Sequence, residues 1–496
     1  MKITFISPYP DVTVFGVRTI SAWLRQHGFD TQLIFLPDPY GDDLVPGTDR
    51  YDEQPLRQAA ELCRESDIVG ISLMTNFFDG AVQITRALRG HLNPSTPILW
   101  GGIHPTIRPE ECLEFADLVC VGEGEDSILE LMRRLDSGED HTATSNIWSR
   151  KTDGEIRKNE LLPLPRDLDM YPMPDYSMDD HHVMLDNRVV PITHDILQDF
   201  LGRGTVSAYL GKTGYQTMTS RGCPYACTYC INDTIRRMYG GRGKLRWRTI
   251  PHVMKELEWV KANMPYVDYI WISDDEFLAR KPDEIAEFAK QYKEKINLPF
   301  SCLISPISVT KEKMDTLVDA GLCYVQMGVE SGSPKMQAIF NRKHMPNDRM
   351  MQAVRIINSY RDRMAPPSYD FLMDVPGETD DDRVASLRFI ADIPKPYRLQ
   401  PFTLILYPGT ELHRQAVESG AITNERSEIY NKTYTMRAPT YLNLLMALCK
   451  NGRFPSPLLK LLISRPALAV LNSRAMAPVF KLLFRTGQSI KHGLRG

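Results

Sequence analysis

Three of the nine cysteines fall within eight residues: Cys223, Cys227 and Cys230 of the stretch "RGCPYACTYCIND". Thiolates are soft metal ligands, and a Cys-x-x-x-Cys-x-x-Cys run on a loop points to metal binding. Three of them cannot close a tetrahedral zinc site alone, and no further Cys or His stands nearby at finger-like spacing. An iron–sulfur cube differs, because three protein thiolates can hold it while one iron stays open. An open iron can bind and polarise a substrate or cofactor. The competing reading is a zinc or purely structural site.

Such a loop needs a scaffold to present it. It follows the strand-like run "YQTMTS", which opens a series continued by "VDYIWIS", "PFSCLIS", "CYVQMGVE", "SYDFLMDV" and "LQPFTLILY". Helix-period segments such as "PHVMKELEWVKANM" and "PDEIAEFAKQYKEKI" separate these runs. Six strand–helix units predict a partial barrel with its chemistry at the C-terminal strand ends, where the cysteines sit. An earlier series occupies the first 140 residues: "KITFIS", "TQLIFL", "DIVGISL", "TPILWGG" and "DLVCVGEG" alternate with amphipathic segments. That pattern predicts a doubly wound parallel sheet, whose ligands bind beyond the carboxyl ends of its strands. Those ends are rich in Gly, Pro and small polar residues. They read either as tight turns and caps or, taken together, as one ligand rim.

The second series resembles the radical S-adenosylmethionine (SAM) enzymes. "CPYACTYC", with Tyr229 just before the last cysteine, is similar to their signature. The resemblance implies that Cys223, Cys227 and Cys230 hold a [4Fe-4S] cluster whose open iron chelates SAM. It implies SAM contacts for Tyr229, for Ser273 and Asp274 in "ISDDEFLAR", and for Glu330 in "MGVESGS". "DVPGET" and "YPGTEL" resemble the fifth and sixth strand ends. Asp374 stands where glycine is commoner, so its implied adenine contact departs from the pattern. Read alone, Asp274 and Glu330 are equally well helix-capping acids.

The rim of the first series resembles the cobalamin-binding domain that precedes the barrel in one large radical SAM class. By that resemblance Ser72, Thr75, Gly101, Gly102, His104, Gly122, Glu123 and Gly124 surround the nucleotide tail of cobalamin. No Asp-x-His-x-x-Gly motif offers a lower axial histidine, and His104 reads as structural or as touching the tail. The combined cofactors imply methylation of an unactivated carbon or phosphorus through a 5′-deoxyadenosyl radical and methylcobalamin. The alternatives are radical oxidation or cyclisation with the same cofactors and, in another class, a non-catalytic cobalamin or SAM sensor.

The expected organisation is a cobalamin-binding domain over 1–140, a connector over 141–214, the partial (β/α)6 barrel over 215–412 and a basic helical region over 413–496. The connector is Pro-, Asp- and Met-rich, and its His181 and His182 read as a solvated pair. The remaining cysteines, among them Cys63, Cys302 and Cys449, read as small core residues. Apolar content of 43% and charged content of 24% are those of an ordinary globular protein. No leader peptide and no run of about 18 apolar residues is visible, so a cytoplasmic setting is expected.

The net charge of −3 conceals an asymmetry. From Ile429 onward there are eleven Lys and Arg residues and no acid, leaving 48 basic against 62 acidic residues elsewhere. Leu-rich helical pieces between these charges resemble an interfacial segment. They suggest peripheral contact with the inner face of the membrane and a small-molecule or lipid-like substrate. The competing reading is a helical domain with a solvated basic face. Aromatic and basic residues interleave too sparsely for a nucleic-acid groove. The expected partner is an electron donor such as flavodoxin or ferredoxin.

Overall fold

The computed structural model describes residues 1–38, 50–241, 245–432 and 438–484. Two compact units make up the chain. One comprises Met1–Cys223, Cys230–Trp271 and Leu406–Lys432; the other comprises Pro224–Tyr229, Ile272–Ile405 and the described part of Thr433–Gly496.

The first unit is built on β1 (Lys2–Ser7), β2 (Asp30–Phe35), β3 (Ile68–Ser72), β4 (Ile98–Gly101) and β5 (Leu118–Cys120). These pair in parallel in the order β5-β4-β3-β1-β2. The strands are almost wholly buried, which is why they read as continuous apolar runs rather than as alternating ones. From β1 the chain builds outward to β2, then returns to place β3 on the other side of β1. The topological switch therefore lies between β1 and β3, where doubly wound sheets open a ligand crevice.

The span predicted as a connector contributes four further strands to this sheet: β6 (Ile147–Arg150), β7 (Ile156–Lys158), β8 (His182–Leu185) and β9 (Arg188–Pro191). β6 adds antiparallel to β5 and carries β7, antiparallel to β6, while β8 adds parallel to β2 and carries β9. Strands of three or four residues are too short to show a period in sequence. The histidine pair is not solvated. His181 is fully buried, with its Nε2 3.2 Å from Asp175 and its Nδ1 accepting the Leu33 amide at 3.3 Å. His182 is half-buried at the start of β8. The polar neighbour that made the pair look exposed is itself engaged, Asp180 accepting from Lys2 and Gln32.

This unit also holds β10 (Gly214–Thr217), the antiparallel pair β11 (Ser220–Arg221) and β12 (Arg246–Trp247), and most of β13 (Tyr269–Ile272). In the second unit β14 (Phe300–Ile304), β15 (Leu322–Glu330), β16 (Ser368–Met373) and β17 (Arg398–Thr403) pair in parallel in chain order. Helices Lys311–Asp319, Asn347–Asn358 and Asp380–Asp392 stand between them. Along β15, Val325, Met327 and Val329 are buried while Gln326, Gly328 and Glu330 face the other way, half-buried. The pairing slips between Gly328 and Glu330, and Glu330 adopts φ 67°. A bulge of this kind re-aims a side chain at a strand end.

Helices Tyr441–Cys449 and Ser456–Leu462 pack against helix Asp380–Asp392. Cys63, Cys112, Cys120, Cys302 and Cys449 are buried, as expected of core thiols, and Cys323 is half-buried.

Candidate functional site

At the switch point of the first sheet a cavity of about 520 Å³ opens, within the size range of small-molecule sites. Ser72, Gly101, Gly102, Gly122, Glu123 and Gly124, six of the eight residues assigned to cobalamin from sequence, line it. Backbone shape creates much of this space. Gly102 adopts φ 98°, and a Cβ there would stand 2.8 Å from the Leu73 carbonyl oxygen and 3.0 Å from its nitrogen. Gly122 adopts φ 92°, with the Tyr239 hydroxyl where a Cβ would go. Only glycine fits such positions without strain. Mostly apolar walls with a few polar groups, Tyr9, Asp11 and Gln216 among them, suit part of a large cofactor such as a nucleotide tail.

Thr75 and His104 are not in the cavity lining. Their side chains meet each other at 3.0 Å, and the His104 ring is fully buried against Phe78 and Tyr430. His104 Nε2 lies 3.6 Å from Glu111, which also accepts from the Tyr430 hydroxyl at 2.7 Å and pairs with Arg426 at 3.2 Å. Burial lowers the His104 pKa, and Glu111 opposes that shift. Glu123 is on the wall but is ion-paired with Arg221 at 3.1 Å and with Arg246. Burial alone would raise its carboxyl; the two arginines prevail and hold it below the usual range. Arg221 also reaches Glu125 at 2.5 Å. These pairs fasten the cavity wall to the strand that leads into the cysteine loop. Nothing in the sequence marked Arg221 for this, although it stands two residues before Cys223.

In the cysteine loop, Cys223 and Cys230 are half-buried and Cys227 is buried. Within the second unit the Arg342 guanidinium, 4% exposed, lies 4.0 Å from the Cys227 sulfur, 3.5 Å from the Tyr229 hydroxyl and 3.9 Å from Glu330. Its other Nη donates to the Gly328 carbonyl at 2.6 Å. Burial pushes the Cys227 thiol up, and Arg342 opposes it. Burial likewise raises the Glu330 carboxyl against Arg342 and Tyr229. Arg342 was not legible in the sequence, because its meaning depends on a thiol 115 positions away.

No three His, Cys, Asp or Glu side chains among the described residues are gathered closely enough to hold one metal ion. Thiolates that each ligate a different iron of a cube stand farther apart than the ligands of a single ion. The donor set, three thiols with a cation beside one of them, fits a cluster. After β13, Ser273 is half-buried and Asp274 fully buried. Asp374 adopts φ 56°, a conformation that explains why glycine is commoner at such a position. Its carboxylate accepts from the Ala438 amide at 3.0 Å and the Asn443 side chain at 2.9 Å, so it ties down the C-terminal segment.

Two family models match this chain: the B12 binding domain over residues 1–132 and the radical SAM superfamily over residues 217–390. The chain belongs to the cobalamin-binding radical SAM enzymes. A [4Fe-4S] cluster, SAM and cobalamin are its cofactors, and its second alternating series is the partial barrel of the radical SAM fold. An uncharacterized methyltransferase of Pyrococcus horikoshii is 25% identical over 366 residues, 72% of this chain and 71% of that protein. The cytidylyl-2-hydroxyethylphosphonate methyltransferase of Streptomyces wedmorensis is 25% identical over 448 residues, 84% of this chain and 80% of its own length. In fold, the chain is similar to the cobalamin-dependent SAM radical enzyme OxsB, solved with aqua-cobalamin and SAM bound. That likeness has a TM-score of 0.66 at 15% identity, over 98% of this chain and 75% of OxsB.

Proposed function

We propose that this radical SAM enzyme is a methyltransferase acting on an unactivated carbon or a phosphorus centre of a small or lipid-like molecule. One observation carries the reading: a single chain joins a glycine-rimmed cavity at the switch of a B12-binding sheet to a loop of three thiols suited to a cluster with one open iron. When bound, cluster and SAM supply a carbon radical that takes hydrogen from the substrate, and cobalamin supplies the methyl group.

The residues divide that labour. Cys223, Cys227 and Cys230 hold the cluster. Tyr229, Ser273, Asp274 and Glu330 bind SAM, with Arg342 fixing the Glu330 carboxylate. Asp374 contributes backbone only, since its carboxylate is engaged elsewhere. Ser72 and the glycines at 101, 102, 122 and 124 receive the cobalamin tail, Glu123 braces the wall, and Thr75 and His104 support the rim from the buried cluster. The electron comes from a small carrier such as flavodoxin or ferredoxin. The enzyme works in the cytoplasm, in peripheral contact with the inner face of the membrane.

The test is anaerobic reconstitution with iron, sulfide and cobalamin, followed by SAM and a reductant. Methyl transfer predicts both 5′-deoxyadenosine and S-adenosylhomocysteine. Deoxyadenosine alone indicates oxidation or cyclisation; neither product, with cobalamin retained, indicates a sensor.

A further inference from the structure

Nine large apolar side chains are exposed among the described residues, and seven of them, from Leu448 to Leu483, belong to the C-terminal helices; Met170 and Val417 are the others. Leu459 and Ile463 turn inward, and Phe480 packs on Tyr441 with ring centroids 5.2 Å apart. Facing outward are Leu461 and Val470, each 64% exposed, with Leu458, Val479 and Leu483. Pro457, Pro466 and Pro478 of the same segment are exposed as well. Soluble proteins seldom leave a contiguous apolar patch uncovered.

The charges around this patch have one sign. Residues 438–484 contain Lys450, Arg453, Lys460, Arg465, Arg474 and Lys481 and no acid. Two acids of the neighbouring helix touch the region, and both are engaged: Asp392 pairs with Lys460 at 2.7 Å, and Asp380 takes Asn472 at 2.7 Å and Arg383 at 3.2 Å. An apolar face flanked by cations complements an anionic lipid surface, with the leucines in the acyl boundary and the cations among the headgroups.

We infer that the helices Ser456–Leu462, Arg465–Leu471 and the following Arg474–Phe484 segment dock in the plane of an anionic bilayer. No single helix among the described residues is long and apolar enough to cross it. Arg465–Leu471 and Arg474–Phe484 together have the length and composition of a span but are bent by 50° at the break between them. At 1.5 Å per residue the first of them rises only about 10 Å against a hydrocarbon core of about 30 Å. Neither family model extends past residue 390, so this surface is separate from the domains that define the enzyme. The inference deepens the peripheral placement proposed above and does not depend on methyl transfer. Binding is read without turnover, so the two readings fail separately.

The experiment is flotation of the full-length holoenzyme with vesicles of phosphatidylcholine alone or mixed with phosphatidylglycerol. Wild type is expected to float with the anionic vesicles at least about tenfold more tightly than with neutral ones. Raising salt from about 0.1 M to 1 M, which cuts the screening length from about 10 Å to about 3 Å, should release much of it. The L461D/V470D/V479D variant should bind about a hundredfold more weakly. R465Q/R474Q/K481Q, which leaves the apolar face intact, should lose about fivefold per charge removed. Unchanged iron and cobalamin content in both variants shows that the fold has survived. No flotation of wild type, equal flotation of the aspartate variant, or attachment that resists both salt and alkaline extraction would each overturn the inference. So would wild type that self-associates through this face without floating, because a second copy would then be the occupant.

Discussion

At Gly102 the B12-binding sheet keeps its cavity open by the absence of a side chain; at Cys227 the cysteine loop offers a side chain that no other residue type replaces. The rim is made of backbone shape: positive-φ glycines, a wall carboxylate clamped by Arg221 and Arg246, and a buried cluster around His104. The cysteine loop is made of donors, and in the proposed function its three thiols acquire their common purpose from the cube they would hold. A shape site is weakened by adding atoms, and a donor site is lost by removing them.

The largest expected effect tests the donor half. Replacing any one of Cys223, Cys227 or Cys230 with alanine should take iron from about four per chain to near zero and abolish SAM cleavage, as read by iron assay and visible absorption. Cobalamin retention in the same samples should stay within about twofold of wild type, since all the cavity-lining residues remain. Loss of cobalamin together with iron would show that the two sites assemble as one, and the contrast would fail.

The reciprocal substitution is Gly102→Ala. A Cβ 2.8 Å from a backbone oxygen, at φ 98°, costs about 2–3 kcal/mol, which the loop relieves by opening. Closing it again around cobalamin should weaken binding by up to about a hundredfold, measured by titration of the apoprotein, while reconstituted iron stays unchanged. Normal affinity would mean that cobalamin does not use this rim.

The same contrast explains what was legible in the sequence. Cys-x-x-x-Cys-x-x-Cys could be read because donor chemistry is carried by residue type and local spacing. The strand–helix alternation could be read because buried parallel strands are apolar along their whole length. The rim glycines could be placed only through resemblance, because glycine at a strand end reads equally well as a turn. Arg342 and the Arg221–Glu123–Arg246 clamp were hidden, since each draws its role from partners about a hundred positions away. His181 was misread for a related reason: the Leu33 amide that donates to it lies 148 positions away on β2, and Asp175, six residues before it, is itself buried. Asp374 shows the reverse. Its departure from the family pattern was visible as a residue type, but only φ 56° and the bonds to Ala438 and Asn443 reveal what it does instead.

The smallest expected effect concerns the two assigned residues that lie outside the cavity. If Thr75 and His104 act only as support, Thr75→Val removes one buried hydrogen bond and leaves the ring nitrogen unpartnered, costing about 1–2 kcal/mol in denaturant unfolding. His104→Gln, which keeps polar reach but no imidazole, should likewise lower stability. In both variants the visible spectrum of bound cobalamin should match wild type and its affinity should change less than about threefold, about 0.65 kcal/mol. A shifted cobalt spectrum in the His104 variant, with Thr75→Val unaffected, would put the imidazole at the metal. The rim would then owe its function to a donor as well as to its shape.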